Sequence, residues 1–256
     1  MKLLFIGDIV AKPGREAVIE VLSQINKDDF DFIIGNCENL AHGRGITLNT
    51  LAEMLDAGVD FFTSGDHIFW NDEFLMNADS LPIVRPCNYP AVVGGKSYEI
   101  LTSKKSGERL LVTNALGRTF LNERVDDPFA GVETVLNANV GNYDYSLVDF
   151  HAEASSEKMA FAFNFAGRIS AIVGTHTHIP TCDARVIDST LYITDVGMTG
   201  NLDSVLGVKK EIILSLYKTA LNQRFECENY GNKAFRGVII DLKNKKIERF
   251  DKEFEK

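Results

Sequence analysis

Short apolar runs alternate with longer stretches of helical spacing through the first ninety residues. Residues 2–8 (KLLFIGD) read as a buried strand, and 13–27 (PGREAVIEVLSQINK) carry apolar side chains three and four positions apart, with Pro13 suited to a first helical turn. Residues 29–36 (DFDFIIGN) give a second strand, 47–58 (TLNTLAEMLDAG) a helix ended by Gly58, 59–65 (VDFFTSG) a third strand and 71–80 (NDEFLMNADS) a short helix. A fourth strand is expected over 81–86 (LPIVRP), stopped by Pro86. This alternation predicts a largely parallel sheet with both faces covered.

The second half is richer in strands: 96–101, 108–116, 143–150, 168–174, 190–197 and 235–243. Residues 155–167 (SSEKMAFAFNFAG) are a helix with Met159, Phe161 and Phe165 expected in the core, and 209–221 another helix. Residues 105–110 and 228–233 have the composition of hairpin turns, and 242–256 read as a charged edge strand and terminus. No repeat, low-complexity tract or Pro/Ser-rich linker interrupts the chain, so residues 1–256 are expected to form one α/β domain.

Composition adds exclusions. A net charge of −9 makes a poor binder of nucleic-acid backbone, although bound cations can reverse the field locally for a small anionic ligand. The first apolar run is short and broken by Asp8, and no run of 18 apolar residues exists. Neither a signal peptide nor a membrane span is expected, and the cytoplasm is the default location. Cys37, Cys87, Cys182 and Cys227 form no C-x-x-C pair, which leaves small buried thiols as their expected role.

The chemistry lies at the carboxyl ends of the strands, where ligands bind in open α/β sheets. Asp8 follows the first strand, Glu38 and Asn39 the second, Asp66 and His67 the third; His151 follows 146–150, and His176 and His178 follow 170–175. Each alone has a plain structural explanation: a turn or helix cap for the acids and amide, a satisfied core histidine for His151. Five strand ends carrying only ligand or acid–base side chains make coincidence a poor explanation. In extended backbone residues i and i+2 point the same way, so His176 and His178 are expected to face one site. Nitrogen and oxygen donors without thiolate suit Mn, Fe, Zn or Mg, and the set exceeds what a single tetrahedral zinc needs.

At these residues the sequence resembles the calcineurin-like metallophosphoesterase superfamily and, more narrowly, the YmdB-like bacterial phosphodiesterases. The matching stretches are FIGDIVAKPGR, GNCENLAHGRG, SGDHIFW, RPCNYP, GRTFL, DFHAEASSEK, GTHTHIPT and TDVGMTG, between residues 5 and 200. The resemblance implies a four-layer α-β-β-α sandwich, with two central mixed sheets flanked by helices. It implies two divalent metal ions and hydrolysis of phosphodiesters, 2′,3′-cyclic nucleotides among them. One ion would take Asp8, Glu38, Asn39 and His178, the other Glu38, Asp66, His151 and His176. Glu38 would bridge, and His67 would be the proton donor to the leaving group.

His42, Arg44, Arg85 and Asn88 lie in matching motifs and are expected to bind substrate, a small phosphorylated molecule such as a nucleotide. Two positions depart from the superfamily: Ile9-Val10 follow Asp8 where a D-x-H motif is usual, with Asn39 filling the gap, and Asp66 stands where Asn is usual. A phosphomonoesterase or 5′-nucleotidase on the same metal core, or a metal-binding regulatory protein without turnover, would present the same ligands. A homo-oligomer accords with the resemblance and is not read from the sequence.

Overall fold

A computed structural model describes residues 1–255. Lys256, the end of the expected charged tail, lies outside the described residues. In chain order the elements begin with β1 (Lys2–Ile6), α1 (Ala11–Gln24), β2 (Phe32–Asn36), α2 (Leu48–Ala57), β3 (Phe61–Thr63) and α3 (Asp72–Asn77). They continue with β4 (Tyr98–Thr102), β5 (Arg109–Leu116), α4 (Pro128–Ala138), β6 (Tyr145–His151), α5 (Ser155–Phe165) and β7 (Ala171–Thr175). The remainder is β8 (Arg185–Ile187), β9 (Thr190–Ile193), β10 (Gly200–Asn201), α6 (Lys210–Thr219), β11 (Lys233–Asp241) and β12 (Lys246–Phe254).

These strands make two six-stranded mixed sheets. In the first, β1, β2 and β3 are parallel, and β11 runs antiparallel to β1 and to its neighbours β10 and β12. The second has the order β4-β5-β6-β7-β9-β8, with β5, β6, β7 and β9 parallel.

Period-two alternation decides the layers. From β1, Leu3 and Phe5 pack into a core shared with Leu110, Val112, Leu147 and Val173 of the second sheet. Leu4 and Ile6 point the other way, against Ala17, Val18, Val21 and Leu22 of α1. On the outer face of the second sheet, Val148, Phe150 and Ile172 meet Val132 and Leu136 of α4 and Phe161 and Phe165 of α5. The result is the four-layer α-β-β-α sandwich. Burying a side chain of this size fully is worth about 1.5–3 kcal/mol, so the paired sheets lock each other in place. Among the described residues no helix is long and apolar enough to cross a membrane.

Several expectations are corrected. Residues 81–86 form no strand. Ile83 bridges to Phe62, Val84 to Lys96 and Pro86 to Asn114, so the segment crosses from one sheet to the other. Pro82 and Pro86 lack the N–H a continuous ladder requires. Residues 228–233 are not a tight hairpin turn: Lys233 pairs with Asn201 of β10 and Phe254 of β12, and α6 intervenes between β10 and β11. Instead Asn232 N donates to Asp203 Oδ2 at 2.8 Å. Helix α4 was not expected, although Asp127 before Pro128 is a start signal: Phe129 N donates to the Asp127 carboxylate at 2.8 Å. Met159 is only partly buried beside its core neighbours. Cys37 is buried, Cys87 and Cys227 are partly buried, and Cys182 is exposed. The tail strand β12 pairs with β11 alone and forms a charged edge.

Candidate metal centre

Five strands deliver their polar side chains to one place. Asp8 follows β1, Glu38 and Asn39 follow β2, and Asp66 and His67 follow β3. His151 is the last residue of β6, and His176 and His178 follow β7. His151 Nε2 lies 3.2 Å from Glu38 Oε2, 3.1 Å from Asp66 Oδ1 and 3.0 Å from His176 Nδ1. Ligand atoms of Glu38, Asp66, His151 and His176 all fall within 4.8 Å of one another, a group able to hold a metal ion. Gly65 permits the approach: a Cβ there would collide with Glu38 Oε2 and His151 Nε2.

A second cluster adjoins the first. Asn39 Nδ2 donates to Glu38 Oε1 at 2.7 Å, and His178 Nε2 lies 4.0 Å from Asp8 Oδ1. Asp8 is fully buried, and its Oδ1 has no hydrogen-bond partner. A buried carboxylate oxygen without a partner is costly and rare. Together with a donor set of imidazole, carboxylate and carboxamide, it fits a divalent cation.

The electrostatics fit as well. Burial opposes ionisation of Glu38, but His151 and His67 outweigh it and bring its pKa down to about 2. Burial of Asp66 is likewise outweighed, by hydrogen bonds from His151 and His176, and its carboxyl lies well below the usual range. For His151 burial disfavours the charged form, yet Glu38 and Asp66 raise its pKa well above that of an ordinary histidine. Asp8 goes the other way: burial dominates, and its pKa is raised. The pocket gathers carboxylates that demand positive charge, and Asp8 has no hydrogen-bonded cation to supply it.

Behind the candidate ligands stands a buried support. His151 Nδ1 lies 2.8 Å from Thr175 Oγ1, which itself donates to Asp149 Oδ1 at 2.6 Å. The Thr hydroxyl proton is thus committed to Asp149, so its oxygen accepts from His151 Nδ1–H. That leaves Nε2, which faces Glu38 and Asp66, as the atom available to a metal. Asn36 Nδ2 donates to the other oxygen of Asp149 at 2.9 Å. Burial raises the Asp149 pKa to about 6.

The histidine pair is held differently from the expectation. His176 and His178 have φ of 96° and 65°, so this backbone is not extended. The two side chains diverge, His176 to the Glu38–Asp66–His151 cluster and His178 to Asp8. An ion pair fixes the turn. Lys158 Nζ, 1% exposed, donates to Asp195 Oδ2 at 2.6 Å and to Thr175 O at 2.7 Å. Asp195 in turn accepts from Thr177 N at 3.2 Å and Gly197 N at 2.8 Å.

The sequence profile described as YmdB-like protein matches residues 4–252. The chain belongs to the YmdB-like family. It is 41% identical to a Bacillus subtilis protein named 2′,3′-cyclic-nucleotide 2′-phosphodiesterase, over 97% of this chain and 96% of the relative. A hypothetical protein from Thermus thermophilus superposes with a TM-score of 0.93 at 39% identity, covering 99% of each chain. A novel phosphatase from Mycoplasma pneumoniae gives 0.89 at 30% identity, covering 100% of this chain and 93% of the other.

In this YmdB-like chain the residues expected to bind substrate separate into two pairs. His42 and Arg44 line a cavity of about 750 Å³ that also touches Asn39, His67 and His178. Arg85 and Asn88 do not line it. The Arg85 guanidinium donates to the carbonyls of Pro86, Val93 and Gly94 at 2.8–3.2 Å. Asn88 donates to Leu116 O and Asp126 O and accepts from Leu116 N. Their polar groups hold loops. Lys158, Asp195 and Asp149 were missed by sequence reasoning. Lys158 shares an apolar helix face with Phe161, Ala162 and Phe165, an anomaly that marks a buried, paired lysine.

Proposed function

We propose that this YmdB-like protein is a dinuclear-metal-dependent phosphodiesterase acting on 2′,3′-cyclic nucleotides or related small phosphodiesters. The observation that carries the proposal is the strand-end cluster: Glu38, Asp66, His151 and His176 within 4.8 Å, with the unpartnered Asp8 Oδ1 beside them. The name of the Bacillus subtilis relative supports the substrate class.

Glu38, Asp66, His151 and His176 would hold one ion; Asp8, Asn39 and His178 would hold a second, with Glu38 shared. Bound there, divalent ions withdraw charge from phosphoryl oxygens and make the attacking water more acidic. The remaining work falls to the chain. Water adds its oxygen to phosphorus, one ester P–O bond breaks, and the departing alkoxide needs a proton. His67 supplies it: its Nδ1 lies 3.2 Å from Glu38 Oε1 and its Nε2 3.4 Å from Asp66 Oδ2. Burial opposes its charged form, but Glu38 and Asp66 outweigh burial and raise its pKa above the ordinary histidine value.

The test is turnover by metal-stripped protein resupplied with Mn²⁺ or Fe²⁺, on 2′,3′-cyclic nucleotides against nucleoside monophosphates. Metal-dependent opening of the cyclic diesters is expected, with little release of phosphate from monoesters. Preferential release of phosphate from monoesters would replace this reading with a phosphomonoesterase.

A further inference from the structure

The 750 Å³ cavity beside the metal centre is far larger than a phosphoryl group requires and lies in the range of pockets for whole small molecules. Its wall includes Trp70, the chain's one tryptophan, whose residue surface is 66% exposed. So exposed an indole calls for an explanation.

The local geometry supplies one. The Arg44 guanidinium carbon lies over the indole, 4.8 Å from the ring centroid. The indole stands edge-on to the His67 imidazole, with centroids 6.3 Å apart and planes at 88°. His67 caps a short 3₁₀ turn, Ile68–Trp70, and Trp70 N donates to His67 O at 2.9 Å. One turn therefore carries both the proton donor and the aromatic plane, three residues apart and on the same side, as 3₁₀ spacing dictates. Phe225, 45% exposed, lines the same cavity from the segment between α6 and β11. That segment is tied down where the Cys227 thiol donates to His42 O at 3.1 Å.

We infer that Trp70, with Arg44 over its ring, is the platform for the base of a nucleotide, with Phe225 as a second aromatic surface of the same cavity. The inference rests on the phosphodiesterase reading and deepens it by naming what recognises the substrate. In a 2′,3′-cyclic nucleotide the leaving oxygen stays on the ribose. The nucleoside must therefore lie on the side of the proton donor, and His67 faces Trp70. Indole, phenyl and guanidinium planes all stack on bases, and Arg44 adds positive charge in an otherwise acidic chain. A purine, with the larger face, is favoured over a pyrimidine.

Trp70 is its own reporter. Titrating the metal-free protein with adenosine, 3′-AMP or inorganic phosphate while following tryptophan emission tests the platform without any turnover. Adenosine and 3′-AMP are expected to change the emission saturably and phosphate alone to leave it unaltered, with Arg44→Ala and Phe225→Ala each weakening adenosine binding. On the metal-loaded protein, Trp70→Ala is expected to lower the preference for 2′,3′-cyclic AMP over glycerol 1,2-cyclic phosphate, which has no base, by about 10-fold. Emission indifferent to adenosine, or equal losses on both diesters, would overturn the inference. If no diester is hydrolysed at all, the emission titration decides alone: a response leaves the base platform standing while the phosphodiesterase reading fails.

Discussion

His67 faces two carboxylates: its Nδ1 lies 3.2 Å from Glu38 Oε1 and its Nε2 3.4 Å from Asp66 Oδ2. If it serves only as proton donor, His67→Gln leaves metal content and folding intact. Hydrolysis of a 2′,3′-cyclic nucleotide, whose ribose alkoxide is a poor leaving group, then falls by about 10²-fold or more. An aryl phosphodiester, whose phenolate leaves unprotonated, loses much less. Equal losses on the two substrates would make His67 a positioning group, and loss of bound metal would make it a ligand. The residue type and its place after β3 were legible in SGDHIFW; its ring contacts with Glu38 and Asp66 were not, because they cross between strand ends. Arg85 shows the opposite limit. A motif gave it a substrate role, whereas its guanidinium donates to three backbone carbonyls and does not line the cavity beside the metal centre.

At the scale of elements, the turn after β7 depends on a helix and a strand end remote in sequence. Lys158 of α5 and Asp195 after β9 clamp it through Thr175 O and Thr177 N. Lys158→Met would leave Asp195 buried without its cation, and breaking a buried pair from one side costs about 3–5 kcal/mol. Urea unfolding is expected to show a loss of that order, and dialysed protein to retain less metal because His176 and His178 lose their fixed backbone. Unaltered stability and metal retention would mean that the turn holds itself. Most strands and helices were legible because their apolar periods are local; the short strands β8 and β10 carried no such period and were not expected. The positive φ at His176 and His178 was not, because it is imposed by contacts from Asp195. Helix α4 carried a legible signal in Asp127-Pro128, and its weak amphipathic pattern hid it.

Over the whole molecule, burial sets the alkaline limit of stability. It pushes Cys87 and Tyr192 each to about 12 and Cys37 well above its ordinary value. In the unfolded chain these groups ionise near their ordinary values, 9.0 for the thiols and 10.0 for the phenol. Above those values the unfolded state has released protons that the folded state retains. Stability therefore falls as pH rises, by up to about 1.4 kcal/mol per unit for each group. Thermal unfolding is expected to show Tm declining from pH 9 toward about 12, the window set by the ordinary and raised values of Cys87. A Tm unchanged across that window would show that the interior admits the charged forms.

The two sheets meet at one rim, and the central claim is that this rim holds two ions. It rests on a complete donor cluster at Glu38, Asp66, His151 and His176 and on the unpartnered Asp8 Oδ1 next to it. The direct measurement is metal stoichiometry of stripped and reloaded protein, by elemental analysis alongside turnover of a 2′,3′-cyclic nucleotide. Two divalent ions per chain are predicted, with activity rising as the second binds and His178→Ala retaining one ion with little turnover. Saturation at one ion with full activity would contradict the account.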